Sequence, residues 1–393
     1  MKNVNSHCPV ILQTGFRIFF IGAAVYTVLS MAFWLVFYVF QANIFVAMPL
    51  TVWHGHEMVF GFTMAVVAGF LLTAVMNWTG LPTLSGQPLL MLFLLWAAAR
   101  VLAFMPPSFP IWPMAFCDSA FIIFLSAAVI RPIIAVKQWK QSAVFSKVLL
   151  LLASNIVFYI ALMNTDLAAE RKALRFAVYM IVSLTLTIGR RILPFFIERG
   201  VGYPVTLRNS RFLDITSMFL LLGFSVIDIF CNWPVVVVVI CVLLVVIHSL
   251  RLAGWYTYGI WKKPLLWILF VGYSFLILGF FLKIFAVLNH HPDDAALHAF
   301  TAGGIGTFTL GMMTRVSWGH TGRNIAEAPA ALPLMFFPIA LGAVIRVCSP
   351  VLTGPAFAIA IGISQILWLA AFILYLIFYS KVLTSPRPDG KWG

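Results

Sequence analysis

The sequence predicts an all-α, polytopic integral membrane protein. Of its 393 residues, 63% are hydrophobic and only 9% charged, and the mean hydropathy is +1.04; soluble domains carry roughly 25% charged residues. Apolar runs of roughly 20 residues, enough to cross a bilayer as helix, recur from end to end. No polar stretch is long enough to fold alone, so residues 1–393 read as a single helical membrane domain.

Twelve transmembrane helices are expected, at approximately 16–40, 53–77, 87–104, 111–130, 142–163, 171–197, 211–231, 234–256, 264–288, 294–317, 330–347 and 355–381. The first run is too long for the apolar core of a cleavable signal peptide and is expected to stay as helix 1. Helices 4, 8 and 12 begin near Pro113, Pro234 and Pro355, where a missing N–H costs nothing because a first-turn amide is unpaired anyway. With both termini inside, 19 of the 25 Lys+Arg fall on the cytoplasmic side, Lys2 among them. The positive-inside rule thus accounts for the net charge of +14, and nucleic-acid binding is not needed to explain it. The five cysteines form no Cys-x-x-Cys pair, which leaves covalent haem attachment, zinc ribbons and a disulfide framework unsupported. His7-Cys8-Pro9 is read as an accidental match to a thiolate haem motif.

Two helices read almost as copies of each other. HEMVFGFTMAVVAGFLLTAVMNWTG (56–80) and HAFTAGGIGTFTLGMMTRVSWGHTG (298–322) align without a gap, matching His56 with His298, Gly61 with Gly303, Gly69 with Gly311, and Gly80 with Gly322. The spacing of Pro113, Pro234 and Pro355, that of Gly69, Gly189 and Gly311, and the match of Pro88 and Arg100 to Pro333 and Arg346 extend the copy into three four-helix units. These units span approximately 10–135, 136–256 and 257–385. Four is even, so helices 2, 6 and 10 share one direction and are expected to face a common centre, with Phe176 standing where the outer units carry histidine.

Imidazole is scarce here and costly in lipid, so its repeated placement points to metal or haem ligation. Trp53-His54-Gly55-His56-Glu57 opens helix 2; residues two apart lie about 200° apart on a helix, so His54 and His56 address one point only if Gly55 lets the turn unwind. One of them is expected at a metal centre, with Glu57 receiving a ring N–H. Sharing an outer site between His56 and His298, with Phe176 at the third corner, is the central expectation. At the inner ends, His248-Ser-Leu-Arg251 and His320-Thr-Gly-Arg323 both read His-x-x-Arg. If both histidines flank one haem, the arginines are placed to neutralise its propionates; the alternative is that topology puts arginines there and Thr321-Gly322 caps a helix. His298 and His320 are 22 residues apart, roughly 33 Å at the helical rise, and cannot share a metal. His290-His291-Pro-Asp293-Asp294 is a candidate copper loop. The Gly61/Gly69 and Gly303/Gly311 stripes mean close helix packing or, alternatively, room for a macrocycle. Intramembrane Asp118 and Lys283 stand without obvious partners in the sequence, and such groups deserve suspicion of function.

The stretches WHGHEMVFGFTMAVVAGFLLTAVMNWTG, TIGRRILPFF and TLGMMTRVSWGHTGR strongly resemble the NnrS family of haem- and copper-containing bacterial membrane proteins. The resemblance runs from helix 1 through helix 12. It implies a twelve-helix inner-membrane protein with b-type haem and copper, linked to nitric oxide metabolism and tolerance of nitrosative stress. By motif it carries His54, His56, His298, His320 and Arg323 as site residues, with Arg191-Ile-Leu-Pro194-Phe-Phe at the inner end of helix 6; Arg315 lies in the last of the quoted stretches. The chain departs from the expected pattern at Arg190, Trp318 and Phe270, where glycine, leucine and histidine are anticipated. Three readings follow: a haem/copper protein that binds nitric oxide or shields metal pools; a membrane redox enzyme passing electrons between haems, with quinol or another redox partner as donor; and a haem-free, transporter-like protein.

Overall fold

The structure, a computed structural model, describes residues 8–42 and 46–393; Lys2 and His7 lie outside them. Helices dominate and no strand occurs among the described residues. We label them α1 (Gly15–Phe40), α2 (Leu50–Thr79), α3 (Gly86–Leu102), α4 (Trp112–Ala135), α5 (Ser142–Met163), α6 (Leu167–Gly200), α7 (Arg211–Phe230), α8 (Pro234–Gly254), α9 (Pro264–Leu288), α10 (294–320), α11 (Leu332–Cys348) and α12 (Gly354–Thr384). Among the described residues ten helices are long and apolar enough to cross a membrane, which marks a multi-pass membrane protein. The shorter α3 and the composite α10 stand outside that count but at positions the sequence predicts.

Local chemistry explains the helix ends. Pro113, Pro234 and Pro355 sit in the first turns of α4, α8 and α12. Asp166 caps α6, its carboxylate accepting from the Ala168 and Ala169 amides at 3.1 and 3.0 Å. Gly80 and Gly322 follow α2 and α10 at φ 71° and 77°, the left-handed conformation that glycine adopts without a Cβ penalty.

Two helices share an irregularity. In α2 the segment Glu57–Thr63 is π-helical, and in α10 so is Ala299–Gly306. Each widening begins one residue after a histidine of the aligned pair, His56 or His298. A π-turn inserts a residue into the α-register, and such bulges frequently accompany functional sites. The unwinding at Gly55 that would let His54 and His56 address one point does not occur: Leu50–His56 stays α-helical and the register changes after it.

Helices α2, α6 and α10 are the most enclosed and touch one another, through α2 with the later turns of α10 and through both π-segments with α6. The chain's first and last helices, α1 and α12, also pack together, and Arg17 ties them by donating to the carbonyls of Leu383 and Ser385 at 2.7 and 3.0 Å. Apolar side chains such as Val101, Phe212, Phe219, Val235, Val239, Ile359 and Ile377 face outward, an apolar exterior suited to lipid.

The glycine stripes are packing surfaces. A Cβ on Gly61 would strike Tyr26, Arg100 and Glu57; on Gly69, Phe20 and Phe19; on Gly303, Phe275; on Gly311, Ile268 and Leu269. Close helix packing, the first of the two readings, is what these contacts display.

Candidate functional site

His54 and His56 leave α2 in different directions, as their 200° separation demands. His54 stacks on Trp34 of α1, with centroids 4.5 Å apart and planes 7° from parallel. Its Nδ1 is buried and has no hydrogen-bond partner among the described residues. His298 and Arg346 of α11 both lie within electrostatic range of it. The Nδ1–H of His298 donates to the Asp294 carbonyl at 2.8 Å, which fixes the tautomer and leaves the Nε2 lone pair free. His54 thus shares the neighbourhood of Arg346 with His298, whereas His56, the ring expected to share a site with His298, faces a different set of neighbours. Phe176, expected at a third corner, packs instead near Phe230 of α7.

His56 turns toward α5 and is fully buried. Its Nδ1 meets Glu57 Oε1 at 2.8 Å, and its Nε2 faces Asn155 Oδ1 at 3.3 Å and Asp118 Oδ2 at 3.8 Å. Phe158 stacks on the ring at 4.6 Å between centroids. Arg100 donates to both Glu57 and Asp118, Tyr26 donates to Glu57, and Tyr159 donates to Asp118 Oδ2 at 2.6 Å. Five helices, α1 to α5, thus converge on one dry polar network whose charges are paired, as buried charges must be. The Asp118 that looked partnerless in the sequence is its second carboxylate. Glu57 meets a histidine nitrogen, and the ring is the one that has both nitrogens engaged.

One of the differences between the two aligned segments bears on the histidines. Glu57 aligns with Ala299, so α10 has no carboxylate next to its histidine. Arg100 and Arg346, matched in the sequence, each lie near the histidine of their own copy. The first segment closes into an internal salt-bridge network, and in the second His298 Nδ1 bonds only the Asp294 carbonyl.

At the opposite end of α10, His248 and His320 have separate surroundings. His248 is fully buried, with Nδ1 2.7 Å from Tyr273 Oη and the ring nearly parallel to Phe280; its Nε2 has no partner among the described residues. Arg251 beside it is committed to Asp214, Ser217 and Tyr273. His320 lies over Phe16 of α1 at 5.9 Å, and its carbonyl accepts from Arg387. Arg323 donates to Thr321 Oγ1 at 2.7 Å and lies over Trp318. His248 packs against α9 and His320 against α1, and each arginine is engaged with neighbours on its own side. In the candidate copper loop, Arg175 and Lys283 claim Asp293, and His290 and His291 are exposed. Lys283 bridges Asp293 and Asp228 at 2.7 and 2.8 Å, so it too has partners the sequence hid. Arg191 donates to Gln141 and to the Lys140 carbonyl, and Arg315 lies 3.8 Å from the ring centre of Phe196.

What the residues can hold follows from their donors. No group of three or more His, Cys, Asp or Glu is gathered for a metal ion among the described residues. His54 and His298 offer two imidazoles near one another, one with a buried unpaired nitrogen and one with its tautomer fixed. That donor set fits a centre ligated by one or two imidazoles and does not fit a three-ligand protein cage.

Fold and site together define a multi-pass helical membrane protein with a histidine pair at one end of its central helices. The NnrS protein family model matches residues 10–387, and the chain belongs to the NnrS family. Comparison with curated proteins returns no match. Membership is consistent with a nitric-oxide-related membrane protein.

Proposed function

We propose that this chain is a haem- and copper-binding protein of the bacterial inner membrane that acts in nitric oxide metabolism or nitrosative-stress tolerance, by binding nitric oxide or protecting metal pools. The reading takes twelve spans in three units, with both termini in the cytoplasm. His54 and His298 are its ligand pair, and Arg346 is the nearby counter-charge. The observation that carries it is the buried, unpartnered Nδ1 of His54 near an imidazole whose other nitrogen is already tied to a carbonyl. Bound iron or copper would supply the affinity for nitric oxide, a small uncharged molecule that concentrates in lipid. The protein orients the two rings, Trp34 and the Asp294 carbonyl holding one each, and supplies positive charge through Arg346. His56 serves as a strut, and the second copy, without an acid at position 299, serves as the ligand side.

The test is an absorption spectrum and metal analysis of the purified protein, with nitric oxide added in both oxidation states. A Soret band that shifts with nitric oxide is expected, and His54→Ala and His298→Ala should each weaken that same band. His56→Ala should lower the yield of folded protein more than the haem per folded molecule. A protein without haem or metal, or single variants of both histidines with unaltered spectra, removes the reading.

A further inference from the structure

Every strongly buried cation of this chain but one is paired or tied by several acceptors among the described residues, or has at least one. Arg100 holds two carboxylates, Lys283 two, and Arg251 one carboxylate and two hydroxyls. Arg17 holds three backbone carbonyls, and Lys147 one. The exception is Arg315, in the last turns of α10. Its side chain is in a residue only 6% exposed, its Nε is buried without a partner, and no carboxylate lies within salt-bridge distance among the described residues. All eleven Asp and Glu of the sequence lie within the described residues, so no acid elsewhere in the chain stands in reserve.

One contact positions the guanidinium. The Phe196 ring of α6 lies 3.8 Å from Cζ. Stacking of this kind uses the face of the guanidinium and leaves its N–H edge in the plane, where two parallel donors match a planar oxyanion. Both partners lie in segments the sequence singles out, Arg315 in TLGMMTRVSWGHTGR and Phe196 in TIGRRILPFF, on two of the three central helices. Only Nε is fully enclosed, so the edge formed by the two terminal nitrogens is reachable from outside the chain, and a cation held by an aromatic face and lacking an acid fits a counter-ion that meets it there.

We propose that Arg315 is the receptor of a planar, two-oxygen anion at the end of the central helices remote from His54 and His298, with Phe196 as its platform. The chemistry is that of a carboxylate or of nitrite, which presents the same pair of oxygens. Two sources supply it: a free small anion, or the carboxylate of a prosthetic group bound at this end of the bundle, separate from the His54/His298 centre about 25 Å away along α10. Only the second rests on the haem reading above, which it extends to a further haem.

The purified full-length protein in detergent distinguishes them. Thermal unfolding is followed against sodium nitrite and sodium formate, with chloride at equal ionic strength as control, for the wild type, Arg315→Lys and Arg315→Gln; haem per chain is measured on the same samples. For a free anion, nitrite or formate stabilises the wild type, Arg315→Lys weakens the response about tenfold in concentration, Arg315→Gln abolishes it, and haem content is unchanged. For a prosthetic carboxylate, Arg315→Gln lowers haem content and Arg315→Lys restores part of it. Phe196→Leu, which keeps an apolar side chain and removes the platform, should show the same losses in weaker form. Equal anion responses and equal haem content across all variants overturn the proposal. So does a wild type without an anion response whose haem content is insensitive to position 315, whether or not the protein carries haem.

Discussion

At the scale of single residues, the decisive contrast is between His54 and His56, two positions apart. One ring stacks on Trp34 with a nitrogen unpaired, and the other is fastened at both nitrogens into a network of paired charges. Arg100 is the keystone of that network, because its guanidinium hydrogen-bonds both carboxylates. Removing one partner of a buried ion pair costs about 3–5 kcal/mol, since the other charge stays buried without compensation. We predict that Arg100→Gln destabilises the detergent-solubilised protein by an amount of this order. Asp118→Asn should cost less, because the amide keeps a hydrogen bond. The double variant should fall short of the sum, since both changes dismantle one network. Additive losses in thermal unfolding would show that the charges act independently.

At the scale of elements, the π-segments set the directions of the histidines. Deleting one residue within Glu57–Thr63 returns α2 to plain α-register and turns His54 by about 100° relative to the rest of the helix. We predict that such a deletion loses the His54-dependent spectral signal while the protein still reaches the membrane; an unchanged signal would mean that the bulge has no part in the site. The clamp between α6 and α9 makes a prediction about pH. Burial works against the charge of Asp293, but Lys283 and Arg175 more than offset it and hold the carboxyl below its usual range. A carboxyl depressed in the folded state contributes stability that is present above its unfolded pKa and is lost as pH falls through the folded value. The wild type should therefore lose stability as pH falls below about 4, the ordinary aspartate range. Asp293→Asn should be less stable near neutrality and show a shallower acid decline, measured as midpoint against pH.

At the scale of the whole molecule, closure of α1 against α12 depends on the tail. Arg17, fully buried, donates to carbonyls of Leu383, Ser385 and Gly393. Ending the chain after Thr384 removes two of these acceptors and leaves a buried guanidinium short of partners. A lower unfolding temperature is expected for that truncation, with recovery when Arg17→Met is added, because the variant then has no buried charge to satisfy. No recovery in the double variant would place the tail's contribution elsewhere. Orientation belongs to this scale too. A C-terminal fluorescent reporter should be active and a C-terminal alkaline phosphatase inactive if the positive-inside count sets the topology; the reverse pattern would put both termini outside.

The amino-acid sequence by itself determined the membrane class, the positions of the helices, the proline-started turns and the glycine caps, because those follow from hydropathy and from backbone rules that act within a few residues. It also revealed the two matching histidine segments and the family, whose motifs are contiguous. It did not reveal which histidine of the pair faces which neighbour, since that depends on a change of helical register over Glu57–Thr63 that no local propensity announces. Nor could it assign Arg100 and Tyr159 to Asp118, or Asp228 and Asp293 to Lys283, because those partners lie on other helices and meet only once the bundle is packed. The tertiary structure decided these matters for one physical reason. In a dry interior each charge must find its partner, and the partners within reach are set by which helices touch.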